Sequence, residues 1–359
     1  MPSGLLPLEE DERDLQLGSL FSFGYTPKQE RKKLEPVDYK DQRNRSNCSF
    51  QAYAAAKGIQ EQRPISARYL TAKAYKEGLC GWDGWADLRS GAKILQKFGA
   101  VDESECPSDE TIPFSQYINV DFNKLDPLAE KGKIKSYWFS RNVDDVIKAI
   151  DEGFPVVIGR QWMTSMNQSG GFKAPWILSR GGSAVGGHAT TVIGYDQKYN
   201  NREVDVELNS YSKKWGDNGC FYCPIDEAGK ADLANDIATF GAVAFLDIDY
   251  NKILTTEDII QKYEGKNIRG DKKGAIYLIY DGKKCAYKNA EAFVSYNGYA
   301  YTQKNAFTVV PQSAIDGVPF LMGTEDKSII TGDMGKYEDL VSYLKKPIND
   351  NFDPNIEIK

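Results

Sequence analysis

The sequence predicts an α+β protein, with a helical part first, a sheet-rich part second and a small β-rich domain at the end. Three observations carry this. Apolar residues recur at helical spacing behind capping residues between positions 48 and 150, and β-branched, alternating or near-continuous apolar runs surround the only histidine between positions 154 and 247. Beyond position 265 tyrosine becomes dense among short strand-like runs. A chain of 359 residues also exceeds what one core usually serves, so more than one domain is expected.

Residues 1–37 are polar, rich in Glu, Lys and Pro, and read as an N-terminal arm. From Cys48 the chain turns alanine-rich, with Phe50, Tyr53, Ala54 and Ala56 at helical spacing, which places a thiol at a helix N-terminus. Ser66 caps a second helix that runs through Tyr69, Leu70 and Ala74 and stops at Gly78. Asp87 caps a third, Leu88 to Phe98, with Leu88, Ala92 and Leu95 on one face and Gly99 after it. Asn142 opens a fourth, with Val143, Val146, Ile147 and Ile150 inward, and Gly153 ends it before the strand of residues 154–159.

Residues 160–185, with Trp162, Met163, Pro175 and Trp176 among glycines and serines, read as a long loop rimming a cleft. Strands are expected at 191–195, 204–208, 219–224 and 241–247, closing a domain that spans 38–249. A linker helix follows in 250–265, over Thr256 to Tyr263. The small β-rich domain covers 266–325, with an Asp281-Gly282 hairpin turn between strands and further strand-like pieces at Ala292-Phe293 and Asn297 to Tyr299. A last helix from Tyr337 to Lys345 lies in the tail, 326–359.

Three stretches carry the chemistry. They are Asp41-Gln42-Arg43-Asn44-Arg45-Ser46-Asn47-Cys48-Ser49, Gly186-Gly187-His188-Ala189, and Asn209-Ser210-Tyr211-Ser212-Lys213-Lys214-Trp215-Gly216. Any imidazole chemistry belongs to His188, the only histidine in the chain. The positive end of a helix lowers a thiol pKa, and a thiolate in turn favours a protonated imidazole, so Cys48 and His188 are expected to form an ion pair. Gly187 and Ala189 flank the ring, where small residues let another backbone approach closely, and both are assigned to substrate contact.

In the order Gln, Cys, His, Asn these blocks resemble the papain (C1) family of cysteine peptidases, in the pattern of its bacterial and phage members that lack a propeptide. His188 follows Cys48 by about 140 residues and precedes Asn209 by about 21, in keeping with the family spacing. The resemblance covers residues 8 to 248 and implies a helical subdomain and a β-barrel-like subdomain with a cleft between them. It implies Cys48 as nucleophile, His188 as base and acid, Asn209 as the residue orienting the ring, and Gln42 as oxyanion donor beside the Cys48 amide. Asp83-Gly84-Trp85 resembles a family turn whose glycine pairs with substrate backbone and whose next residue walls a substrate pocket, against the plain alternative of a turn and a core tryptophan. The arm of residues 1–37, too short for an inhibitory propeptide, is expected to lie across the domain surface, with no zymogen. Tyr211 and Ser212 stand where the family has Trp and Gly, and Ser49 where it has Trp; the tyrosine is expected to shield the Asn to His hydrogen bond less fully.

The net charge of −6, with both signs interspersed, argues against a nucleic-acid partner and for a protein or peptide substrate. No apolar run approaches the ~20 residues that span a bilayer, and Met1-Pro2-Ser3-Gly4 has no charged lead before a greasy core, so neither membrane insertion nor a signal peptide is expected. A cytoplasmic or phage-virion setting is expected. Of six cysteines one must stay free, and Arg45 occupies the place of a disulfide cysteine in secreted relatives, which favours a reducing compartment. Cys220 and Cys223 spell C-x-x-C, but no histidine is left over for zinc and there is no second pair, so they read as core and no metal or cofactor is expected. Two other functions stay open: a hydrolase of peptidoglycan peptides (NlpC-like or CHAP-like), and a non-catalytic structural or adaptor protein of a phage particle or surface assembly. The tyrosine-rich C-terminal domain suits a docking surface for a surface or assembly partner, against the plainer alternative of strand packing.

Overall fold

The computed structural model describes residues 4–9, 14–17, 29–140, 142–166, 172–246, 265–270, 275–280, 283–287, 307–310 and the single positions 11, 27, 260, 263, 297, 315, 318, 329 and 330. The chain divides into two compact units, Met1–Glu10 with Phe21–Ile248, and Asp11–Leu20 with Asp249–Lys359.

The first unit opens with a short strand, β1 (Arg31–Lys33), and then its helical side: α1 (Cys48–Glu61), α2 (Ala67–Lys76), α3 (Leu88–Lys97), α4 (Phe114–Tyr117) and α5 (Phe122–Ala129). The caps read from sequence act as expected. Ser66 accepts from the Tyr69 amide, Asp87 from Ser90 and Asn142 from Asp145, each satisfying donors that a helix start leaves open, and Asp121, which was not foreseen, does the same for Asn123 and Lys124. Leu88, Ala92 and Leu95 of α3 are buried with Tyr53 and Phe50 of α1 in one apolar core.

The sheet side follows: β2 (Ser136–Ser140), α6 (Val143–Asp151), β3 (Val156–Met163), β4 (Ala184–Tyr199), β5 (Arg202–Leu208), β6 (Cys220–Pro224), α7 (Glu227–Phe240) and β7 (Ala242–Leu246). Seven strands form one sheet in the order β2-β7-β3-β4-β5-β6, with β1 added to β4. The sheet does not close, so the expected barrel-like subdomain is an open sheet with β2 and β6 at its ends. The anticipated loop from Arg160 is also shorter, because β3 continues to Met163 and pairs with β4 from Val156↔Val192 to Met163↔Ala184. Arg160 hides a strand continuation from a reader of hydropathy: its charge is buried, but matched by carboxylates of β5, two strands across the sheet. Helix α7 was not foreseen, since Gly229 and scattered polar residues blur its period. α1 lies on β4, where the Thr191 hydroxyl donates to the Ala52 carbonyl at 3.0 Å.

In the second unit, β8 (Asn267–Gly270), β9 (Ile276–Tyr280), β10 (Lys283–Tyr287), β11 (Thr308–Val310) and β12 (Ile329–Ile330) make a five-stranded sheet ordered β11-β8-β9-β10-β12. Its core holds Tyr263, Ile268, Ile279, Ile315 and Val318. Most of the expected linker helix, the Asp281-Gly282 turn, the pieces at Ala292-Phe293 and Gly298-Tyr299, and the helix from Tyr337 to Lys345 lie outside the described residues. No helix among the described residues is long and apolar enough to cross a membrane.

Candidate active site

Cys48 is the first residue of α1 and fully buried. The turn before it is held by charge. Ser46 N–H donates to Asp83 Oδ2 at 3.0 Å, and the Arg45 guanidinium donates to Glu110 Oε2 at 2.6 Å, Asp83 Oδ1 at 3.2 Å and the Ile112 carbonyl at 2.7 Å. The same guanidinium sits 4.1 Å over the Tyr117 ring. Burial pushes the Glu110 carboxyl up, while the Tyr117 hydroxyl and the Arg45 charge pull it back. Arg45 therefore fastens the 110–117 segment to the turn by ion pairing and stacking, and all six cysteines are free.

His188 lies on β4, and its Nε2 is 2.8 Å from Asn209 Oδ1, one residue past the end of β5. The Thr191↔Leu208 pairing of these strands sets that meeting. Asn209 Oδ1 also accepts the Ser210 amide at 2.8 Å, which marks it as the oxygen of the amide. The Nε2 must then carry the proton, leaving Nδ1 as the basic nitrogen; Nδ1 is buried without a hydrogen-bond partner among the described residues. Trp162 packs 4.5 Å and Tyr211 5.1 Å from the imidazole, centroid to centroid, with Trp215 edge-on to Tyr211 at 5.5 Å. The smaller ring of Tyr211 is thus supplemented by Trp162, whose part in the site the sequence reading missed by ending β3 too early. The clue was available: a strand continued to Met163 brings Trp162 opposite Gly186, two residues before His188.

The expected ion pair is not the form this environment favours. Burial pushes the Cys48 thiol up, against backbone hydrogen bonds from Ala189, Gly4, Ser49 and Cys48 itself. Burial also pulls His188 down to about 4, against its bond to Asn209 and the charge of Glu207. A thiol raised and an imidazole lowered leave both groups neutral in this covered site.

Behind the histidine lies a buried charge cluster. Asp205, Glu207 and Cys223 are close enough together to hold a metal ion, but the Arg160 guanidinium occupies that space, donating to Glu207 and, at 2.9 Å, to Asp205. Cys220 and Cys223 pack in separate apolar clusters, so they do not act as a pair.

Gln42 bridges the two sides. Its backbone N–H donates to the Ser210 carbonyl at 2.9 Å, its Oε1 accepts the Ser210 hydroxyl at 2.5 Å, and its Nε2 donates to the Arg45 carbonyl at 2.8 Å. An amide nitrogen has two hydrogens, so one remains for another acceptor.

The substrate-contact residues are placed less simply. Gly84 has φ of 90° and is buried where a Cβ would lie 2.8 Å from Asn47 Cβ, so it supports the turn. Ala86, two residues on, pairs with the N-terminal segment: its N–H donates to the Gly4 carbonyl and its carbonyl accepts the Leu6 amide, both at 3.0 Å. Trp85 is 43% exposed and lays its indole over Gly81. Across the cleft the Gly187 carbonyl accepts the Leu5 amide at 3.1 Å. Gly4 and Leu5 are therefore inserted between the two walls, while Leu6, Pro7 and Glu9 stay exposed, so this part of the expected surface arm is held in part between them.

This arrangement defines a papain-like fold: a thiol at a helix start, a histidine and an asparagine on neighbouring strands, and a cleft between. The comparisons agree at the level of fold. No family model matches the sequence. An uncharacterized peptidase C1-like protein of Acanthamoeba polyphaga mimivirus is 26% identical over 164 residues, covering 43% of this chain and 51% of that protein, so the chain spans about half the length of this curated relative. Xylellain, a cysteine protease from Xylella fastidiosa, superposes with a TM-score of 0.57 at 21% identity, covering 68% of this chain and 96% of that one. The proform of the ragweed pollen cysteine protease Amb a 11 superposes with a TM-score of 0.51 at 17% identity, covering 66% of this chain and 70% of that one.

Proposed function

We propose that the protein is a thiol-dependent peptidase acting on protein or peptide substrates. The observation that supports it most is the His188–Asn209 bond at 2.8 Å under an aromatic cover, with Nδ1 left basic on the wall facing the helix that begins at Cys48. In this reading, substrate or solvent entering the site restores the thiolate and imidazolium. The Cys48 sulfur attacks the scissile carbonyl carbon, and the oxyanion is held by the Cys48 amide and the remaining Gln42 Nε2 hydrogen. His188 passes the proton taken from the thiol to the leaving amine, and the C–N bond breaks to leave a thioester. Water, deprotonated by His188, then releases the acid and regenerates the thiol. Asn209 keeps the ring in the orientation and tautomer that these transfers need.

The test is cleavage of a dye-quenched peptide under reducing conditions by the full chain and by Cys48→Ala. Thiol-dependent cleavage that Cys48→Ala abolishes is expected. A Cys48→Ala protein that cleaves as fast as its parent overturns the reading. So does the absence of thiol-dependent cleavage of any peptide.

A further inference from the structure

The imidazole shares its face of the sheet with buried charge. Arg160 is the direct partner of His188 in the β3·β4 ladder, and residues 205, 207 and 209, along and just past β5, alternate onto the side that 188 and 190 take on β4. Arg160 Nε donates to Glu207 Oε1 at 2.7 Å, and Nη2 donates to the same oxygen and, at 2.9 Å, to Asp205 Oδ2. Nη1 lies 3.6 Å from Asp236 Oδ2 on α7. The Thr190 hydroxyl donates to Glu207 Oε2, so a residue two past the histidine is tied to a residue two before Asn209. All five of these side chains are buried.

Beyond Val192↔Glu207 the β4·β5 ladder slips to Gly194↔Val206, so regular pairing alone does not set the register at Asn209. The Thr190 to Glu207 bond joins the two strands beside that slip. The titratable groups packed around the ring are Cys48 of α1, Tyr211 after β5, Asp205 and Glu207 of β5, Cys223 of β6 and Asp236 of α7, with Arg160 of β3 among them. Burial raises Cys48, Tyr211, Cys223 and Asp205, favouring their neutral forms, and raises Asp236, which the charges of Arg160 and Arg180 pull back. The hydrogen bonds from Arg160 and Thr190 all run toward Glu207, and a carboxyl group that accepts from each of its partners is a carboxylate.

We infer that Glu207 is a positioning residue for His188: clamped by Arg160 and by the Thr190 hydroxyl, it holds β4 and β5 in the register where the imidazole meets Asn209, and it sets a buried negative charge beside the ring that favours the imidazolium. The inference rests on the peptidase reading of the site, in which the ring has to hold the proton of the thiol until the leaving amine takes it. The Glu207 charge opposes the effect of burial on His188 together with the bond to Asn209, so charge and orientation reach the ring from the same end of β5.

The test follows the ring nitrogens of the only histidine by NMR in the full chain, in the parent, in Glu207→Gln and in Asp205→Asn, with kcat and KM on a dye-quenched peptide measured beside it. Glu207→Gln keeps the shape, since the amide oxygen can face Arg160 and the amide nitrogen can donate to the Thr190 hydroxyl, and it removes the charge. At a fixed pH of about 5 the protonated fraction of the ring should fall about threefold, the equivalent of a midpoint lowered by about half a pH unit. The kcat should fall by about tenfold with KM within about twofold of the parent's. Asp205→Asn exchanges one neutral group for another and should leave the protonated fraction unchanged. If Glu207→Gln does not fold by circular dichroism, Thr190→Val, which frees Oε2 from β4, carries the test with a fall in the same direction. A folded variant whose protonated fraction matches the parent's overturns the inference, even where kcat drops, because a structural role alone would leave the fraction in place. An equal fall in Asp205→Asn overturns it too, by showing that the ring responds to any change in the cluster. The fraction is read without turnover: a shift in a protein that cleaves no peptide keeps the hold of Glu207 on the ring and removes the peptidase reading, and cleavage with no shift does the reverse.

Discussion

The two walls of the cleft are stabilised by opposite means. On the helical wall the turn carrying Cys48 is tied down by buried charge, Arg45 against Glu110 and Asp83, with the guanidinium stacked on Tyr117. On the sheet wall the imidazole is covered by Trp162 and Tyr211, with Trp215 packed on both, and among the described residues its one hydrogen bond is to Asn209. Charge fixes a turn because its bonds are directional, and aromatic packing dries a hydrogen bond because it excludes water without competing for it. The walls should therefore fail differently: the first by losing structure, the second by changing its proton affinity.

The largest effect is expected where a single change strands a buried charge. Arg45→Ala leaves Glu110, 3% exposed, without its cation, and should destabilise the first unit by about 3–5 kcal/mol in urea unfolding. The double variant Arg45→Ala with Glu110→Gln should recover part of that loss. Equal losses in single and double variants would mean that the guanidinium acts by packing alone.

On the sheet wall the probe is acid. His188 is held near pKa 4, below the 6.5 of an unhindered histidine, so the folded state binds fewer protons than the unfolded one between those values. Its contribution to stability is complete above pH 6.5 and is lost as the pH falls toward 4, about 3 kcal/mol over the whole window. As the chain has one histidine, a single imidazole resonance in the NMR spectrum reports it directly. A midpoint near 6.5 would show the box to be wet.

The smallest effect concerns backbone strain beside the box. Ser212 sits at φ of 70°, a left-handed conformation that glycine adopts freely, and its N–H donates to the Lys40 carbonyl at 2.8 Å. Ser212→Gly should stabilise the first unit by about 1 kcal/mol without altering the His188 midpoint. A lowered thermal midpoint would show that the serine side chain compensates for its conformation.

Much of this was written in local patterns. Ser66, Asp87 and Asn142 start helices because short polar side chains reach the open amides of the next turn, and that choice depends on a few adjacent residues. The order Gln42, Cys48, His188, Asn209 pointed to the candidate site, and of these the structure bonds His188 to Asn209, since a thiol at a helix start and a ring on a β-branched strand are local matters too. Trp162 escaped because Arg160 breaks the apolar run, and only the carboxylates of β5, more than forty residues away, make an arginine acceptable inside a strand. The open sheet and the pairing of Leu5 with Ala86 and Gly187 were likewise decided by tertiary structure. Each depends on which distant backbone lies alongside, and in Gly4-Leu5-Leu6-Pro7-Leu8 nothing distinguishes an apolar arm that finds a pocket at Gly159 and Phe240 from one that lies elsewhere. The proton affinities of Cys48 and His188 follow from the same cause, since burial in the folded chain raises the thiol and lowers the imidazole against the helix end and the partner side chain that the sequence displays.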